Sequence, residues 1–126
     1  MRSVSLGRIL VIDDDEMIRA LTCRFLVTVG YDVQDAASGK AGLACLRQQQ
    51  ADVIITDIVM PDMEGLELIR ELRRADPAVK IIAMSGGGRG PASYLELALK
   101  FGARQVLPKP FTKDSLIAVV KDVLAM

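Results

Sequence analysis

The chain has 126 residues, sixteen basic and sixteen acidic side chains, no net charge and 51% hydrophobic residues. That balance excludes a disordered tail and removes the global field that would favour DNA or anionic lipid; the densest basic group, Arg70, Arg73 and Arg74, alternates with Glu67, Glu71 and Asp76. No apolar run approaches the roughly 18 residues of a membrane span, and Met1 to Gly7 lacks the apolar region of a secretion signal. Histidine is absent, which excludes an imidazole base, a zincin-type metal site and a phosphohistidine of the chain's own. We therefore expect one cytoplasmic domain, residues 1–126, with no direct nucleic-acid or membrane partner, and with Cys23 and Cys45 as free, partly buried thiols.

Strand and helix signals alternate along the chain. Arg8 to Ile12 is an aliphatic strand, followed by a helix from about Glu16 to Val29. Its apolar stripe is read as Ile18, Leu21, Phe25 and Val29, with Gly30 as the stop. Tyr31 to Ala36 alternates as a second, less buried strand, and Ser38 caps a helix to about Gln48 with Leu43 and Leu46 inward. Val53 to Thr56 is short and apolar on both faces, as suits an interior parallel strand. Pro61 and Gly65 punctuate the next loop, and Leu66, Ile69 and Leu72 mark a helix ending near Arg74. Val79 to Met84 is the fourth strand; a glycine-rich loop and a helix from about Ala92 to Phe101 follow. Arg104 to Leu107 is the fifth strand, and the last helix starts near Thr112, carrying Leu116, Val119, Val120 and Val123. Repeated β-α units give an α/β doubly wound domain with a parallel sheet. Right-handed crossovers place every strand's carboxyl end on one edge.

Chemistry gathers at that edge. Ile9-Leu10-Val11-Ile12 runs into Asp13-Asp14-Asp15, Val53-Ile54-Ile55-Thr56 into Asp57, Ile81-Ile82-Ala83-Met84 into Ser85, and Val106-Leu107-Pro108 into Lys109. Open α/β sheets bind ligands outside the carboxyl ends of their strands. Crowded carboxylates repel unless a cation intervenes, and oxygen-only ligands suit Mg²⁺. Lys109 supplies a point charge for a phosphoryl oxygen, and Ser85 one donor. Taken singly, each residue has a plainer role. A strand-end aspartate is often a helix cap, the role assigned here to Asp15; a lone lysine is usually solvated, and a lone serine a turn residue. Their joint placement favours a metal-assisted phosphoryl site.

With those residues in place, the sequence resembles the receiver domain of two-component response regulators over essentially its whole length. The matching stretches are Ile9-Leu10-Val11-Ile12-Asp13-Asp14, Asp57-Ile58-Val59-Met60-Pro61 with Gly65, Ala83-Met84-Ser85, and Leu107-Pro108-Lys109-Pro110-Phe111. The resemblance implies a flavodoxin-like (βα)5 fold with strand order 2-1-3-4-5, of the chemotaxis-regulator-like kind. Between a stand-alone receiver and a fragment of a longer protein, the stand-alone form is the expectation, because the N-terminus reads as native and no output domain follows Met126 in the sequence. The resemblance implies that Asp57 accepts a phosphoryl group from a sensor histidine kinase or phosphotransfer protein. Asp13, Asp14, Asp57 and the Val59 carbonyl would hold Mg²⁺, Ser85 and Lys109 would grip the phosphoryl group, and the Lys109-Pro110 bond would be cis. Such a domain catalyses its own phosphorylation and dephosphorylation, turns over no external substrate, and signals to a downstream protein through the fourth helix, fifth strand and fifth helix. Tyr94 and Gln105 would lie on that face.

Two features depart from the family pattern. Val106 stands where many receivers carry a switching aromatic residue, and Gly86-Gly87-Gly88-Arg89-Gly90-Pro91 makes a long glycine-rich loop, read as a switch segment. Two rival readings exist. Asp13-x-Asp15 after a strand is also a pattern of haloacid-dehalogenase-type phosphatases, which leaves the Asp57 motif unexplained. A receiver used only for docking would not need the intact acidic cluster.

Overall fold

The computed structural model describes residues 5–58, 65–86 and 93–126. Strand β1 (Arg8–Ile12) is followed by α1 (Glu16–Val29), β2 (Asp32–Ala36), α2 (Gly39–Gln48), β3 (Val53–Asp57) and α3 (Gly65–Ala75). Then come β4 (Lys80–Gly86), α4 (Ser93–Phe101), β5 (Gln105–Lys109) and α5 (Lys113–Leu124). The strands form one parallel sheet in the order β2-β1-β3-β4-β5, as expected for a flavodoxin-like doubly wound fold.

The side-chain alternation of the strands divides the core into two layers. Leu10, Ile12, Ile54 and Ile81 point to the face covered by α2, α3 and α4, where Leu43, Leu46, Leu66, Ile69 and Leu72 complete the packing. Ile9, Val11, Val53, Ile55, Ile82 and Met84 point to the other face, against Leu26 of α1 and Leu116, Val120 and Val123 of α5. All five residues of β3 are buried, because β3 is the middle strand and is covered on both sides. β2 is an edge strand with only Ala36 buried.

The helix starts follow their caps. Asp15 Oδ1 accepts from the amides of Met17 and Ile18, Ser38 caps α2, and Thr112 with Ser115 forms a capping box at α5. At the other end of the molecule, Lys80 Nζ donates to the carbonyls of Leu124 and Met126, tying the start of β4 to the end of α5. Gly30 and Gly102 end α1 and α4 with φ of 120° and 123°, in the region that only glycine enters at little cost.

Two sequence expectations are corrected. The fully buried residues of α1 are Thr22 and Leu26; Phe25 and Val29 pack partly buried against the same layer as expected, while Leu21 is 43% exposed. The pattern misled because threonine reads as polar. Thr22 donates its hydroxyl to the Ile18 carbonyl at 2.7 Å, satisfying its polar atom inside the helix, so it is buried without an unmet hydrogen bond. Strands β4 and β5 also run two residues further than expected, with Ser85 paired to Pro108 and Gly86 to Lys109 in the ladder. Pro108 is accommodated because β5 is an edge strand, where a missing N–H is tolerated.

Candidate phosphoryl-acceptor site

The acidic site grows out of the carboxyl ends of β1 and β3. Ile12 pairs with Thr56 across the ladder, so Asp13 leaves β1 beside Asp57 at the end of β3. The Asp13 amide donates to Ala36 O at 3.1 Å, which continues the β1–β2 ladder by one bond and holds Asp13 at the edge. Asp13 is fully buried and Asp57 is 4% exposed. Carboxylate oxygens of Asp13, Asp14 and Asp57 lie within 4.8 Å of one another.

From β5, Lys109 reaches across the edge. Its Nζ donates to Asp13 Oδ2 and to Asp57 Oδ2, each at 2.9 Å, with 15% of the lysine side chain exposed. The Lys109-Pro110 peptide bond is cis, as the resemblance implied. Ser85, 7% exposed, follows Met84, the ladder partner of Asp57, and so stands on the adjacent strand at the same edge. The fold thus brings Asp13, Asp14, Asp57 and Lys109 into one cluster and sets Ser85 beside it. Val59, Arg89 and the side chain of Tyr94 lie outside the described residues, as does most of the glycine loop.

The electrostatics follow from burial. Desolvation pushes the Asp13 carboxyl above its ordinary value, despite the lowering effects of Lys109 and of the Asp15 amide, which donates to Asp13 Oδ1 at 2.9 Å. Burial alone would lower the Lys109 pKa, but its hydrogen bonds and charge interactions with Asp13 and Asp57 outweigh that and raise it. Lys109 pairs with two of the three clustered carboxylates, so the cluster has an excess of negative charge. Asp14 Oδ1 is buried with no hydrogen-bond partner among the described residues. A buried carboxylate oxygen left unmet is costly unless a cation satisfies it. The donor set, oxygen-only and acidic, suits a hard divalent ion such as Mg²⁺.

Asp15 stands apart from this chemistry. Its Oδ1 is engaged by the Met17 and Ile18 amides at 3.0 and 3.1 Å, the helix-cap role expected of it. Arg19 was missed by the sequence reading. Its Nη1 donates to the Asp13 carbonyl at 2.8 Å and its Nε to Asp35 Oδ2 at 2.9 Å. The signal was present: helix side chains lean toward the N-terminus, so a long cation in the first turn of α1 reaches back to the loop before it. Val106, on β5, is partly buried against the α2–α4 side of the core, a packing role.

Comparison with known proteins agrees with this geometry. Residues 9–121 match the model of the response regulator receiver domain. The chain is 37% identical over 119 residues to the sensor kinase CckA of Brucella abortus (strain 2308), covering 92% of this chain and 12% of that protein. It is 36% identical over 121 residues to the DNA-binding transcriptional regulator NtrC of Azospirillum brasilense, covering 96% and 25%. Among solved structures, the CheY-like receiver domain protein of Methanospirillum hungatei JF-1 superposes with a TM-score of 0.88 at 33% identity, covering 96% of this chain and 95% of that one. NtrX of Brucella abortus gives a TM-score of 0.90 at 27% identity, covering 97% and 27%. The chain belongs to the receiver-domain family of two-component response regulators. It spans 12% and 25% of the length of the two curated relatives named. Receiver domains accept phosphate from histidine kinases and bind Mg²⁺ at an acidic pocket, and the cluster here has the composition of such a pocket. Among the described residues no helix is long and apolar enough to cross a membrane.

Proposed function

We propose that this domain, residues 1–126, is a phosphorylation-operated switch in which Asp57 accepts the phosphoryl group. The observation that carries the reading is the Lys109 ammonium set 2.9 Å from both Asp57 and Asp13, beside an Asp14 oxygen with no other partner among the described residues. A carboxylate oxygen of Asp57 attacks phosphorus, the P–N bond of a donor phosphohistidine breaks, and the released imidazole takes up a proton. Lys109 then transfers its hydrogen bond from the carboxylate to a phosphoryl oxygen, and the Ser85 hydroxyl donates to another. Asp13, Asp14 and Asp57 would hold Mg²⁺, whose charge offsets that of the phosphoryl oxygens. Water later attacks phosphorus, the P–O bond to Asp57 breaks, and inorganic phosphate leaves with the Asp57 carboxylate restored.

The donor in this reading is a sensor histidine kinase or a phosphotransfer protein in the cytoplasm, and the output is a contact with another protein rather than with nucleic acid. Because Val106 packs into the core margin, the output relies on movement of backbone and loops rather than on a swinging aromatic ring. Incubation with phosphoramidate and Mg²⁺ tests the chemistry. Intact mass should rise by one phosphoryl group, the label should be lost in alkali as acyl phosphates are, and Asp57→Asn should abolish it. Undiminished labelling of Asp57→Asn would overturn the assignment.

A further inference from the structure

Arg19 touches the main chain of the acidic site without being one of its acids. One end of its guanidinium is braced on Asp35, the fourth residue of β2, and the other grips the carbonyl of Asp13. The Arg19 side chain is 17% exposed and that of Asp35 50% exposed. The Asp13 carbonyl lies in the same rigid peptide plane as the Asp14 amide. Fixing that carbonyl therefore fixes the direction in which Asp14 leaves the strand. Asp14 carries the buried oxygen that has no hydrogen-bond partner among the described residues. The same short segment is held from two other sides, by Ala36 O on the Asp13 amide and by the Asp15 amide on the Asp13 carboxylate.

We propose that Arg19, braced by Asp35, is a positioning residue for the divalent-cation site: by clamping the Asp13–Asp14 peptide it sets how tightly the three carboxylates bind the ion. This rests on the reading of Asp13, Asp14 and Asp57 as that site. Asp35 neutralises the guanidinium, so the clamp supplies orientation rather than a competing positive charge. Lysine is a poor substitute, because one ammonium lacks the planar fork that reaches two separated acceptors.

The test compares the wild type with Arg19→Gln, Arg19→Lys and Asp35→Asn, by two measurements. One is Mg²⁺ affinity by calorimetry; the other is hydrogen exchange of the Asp15 amide by NMR in metal-free buffer. Arg19→Gln should weaken Mg²⁺ binding about 10-fold or more, the usual cost of losing a residue that orients a ligand. It should also speed exchange at Asp15 while leaving the amides of β3 protected. Arg19→Lys should not rescue affinity, and Asp35→Asn, which keeps an acceptor, should lose less. Saturating Mg²⁺ should restore most of the phosphorylation rate. Wild-type Mg²⁺ affinity and Asp15 exchange in Arg19→Gln would overturn the proposal, as would an affinity loss matched by faster exchange throughout the sheet. A wild-type protein that bound no Mg²⁺ would instead sink the metal-site reading, and the metal-free Asp15 measurement would still judge the clamp.

Discussion

Lys109 Nζ lies 2.9 Å from Asp57 Oδ2, and the same ammonium lies 2.9 Å from Asp13 Oδ2, so one cation holds together two buried carboxylates from different strands. Removing it leaves like charges facing each other in a poorly solvated edge. Lys109→Met should destabilise the metal-free fold by about 3 kcal/mol, measured by urea unfolding, with Mg²⁺ recovering part of the loss. The raised Lys109 pKa fixes the sign of the pH effect. The stabilisation is complete at neutral pH and is lost as pH rises above about 10.5 through the folded-state value. A Lys109→Met protein as stable as wild type at pH 7 would show that the bridge contributes nothing.

Asp13 behaves in the opposite sense. Burial holds its carboxyl above the ordinary value of 3.8. The stability that such an acid contributes is present below its unfolded pKa and is lost as pH rises through the folded one, so ionised Asp13 weighs against the metal-free fold at neutral pH. Asp13→Asn should raise the metal-free Tm at pH 7 by about 3 °C, and calorimetry should find the difference shrinking as pH falls toward about 4. Mg²⁺ should reverse the ranking, because it stabilises the protein that binds it better. A variant melting below wild type at every pH would mean that the Lys109 pair outweighs the burial cost.

Gly65 joins packing to chemistry. A Cβ added there would overlap the backbone of Ile58, the residue after Asp57, and the Gly65 amide donates to Ile58 O at 3.2 Å. Because the obstacle is backbone, it cannot swing aside. Gly65→Ala should cost about 2–3 kcal/mol in denaturant unfolding. It should also slow phosphoryl acceptance even where the protein remains folded. Normal labelling by phosphoramidate in this variant would show that the site tolerates movement of Ile58.

The two faces of α1 can be separated by substitution. Leu26 is fully buried while Leu21 is 43% exposed. Leu26→Ala should cost about 3 kcal/mol, whereas Leu21→Gln should stay within about 0.5 kcal/mol of wild type. Chemical denaturation of both variants checks the assignment, and a large loss for Leu21→Gln would return Leu21 to the buried stripe.

The sequence was most legible where one physical signal dominated. Apolar runs bounded by turn residues located the five strands, and the carboxyl-edge rule gathered Asp13, Asp14, Asp57, Ser85 and Lys109. The caps Asp15, Ser38 and Thr112 were equally plain. Strand order and the cis bond at Lys109 came from family resemblance rather than from periodicity. What stayed hidden was set by tertiary context. Thr22 is buried because its hydroxyl bonds within its own helix, and Pro108 sits in a strand because that strand lies at the edge. Arg19 matters through a main-chain carbonyl, a partner that leaves no mark on residue type.

The full burial of β3 makes the location of Asp57 a discrete variable. Ladders run on both sides of this strand, pairing Ile54 with Leu10 and with Ile81. With side chains alternating every residue, a slip of one position would turn Asp57 to the opposite face and carry its apolar neighbours with it. An insertion or deletion within Val53–Asp57 would thus remove the Asp57 carboxylate from the acidic cluster rather than adjust its position. On the proposed reading, gradual change in the speed or lifetime of phosphorylation would arise outside β3, through substitutions that alter the surroundings of Asp57 without shifting its register.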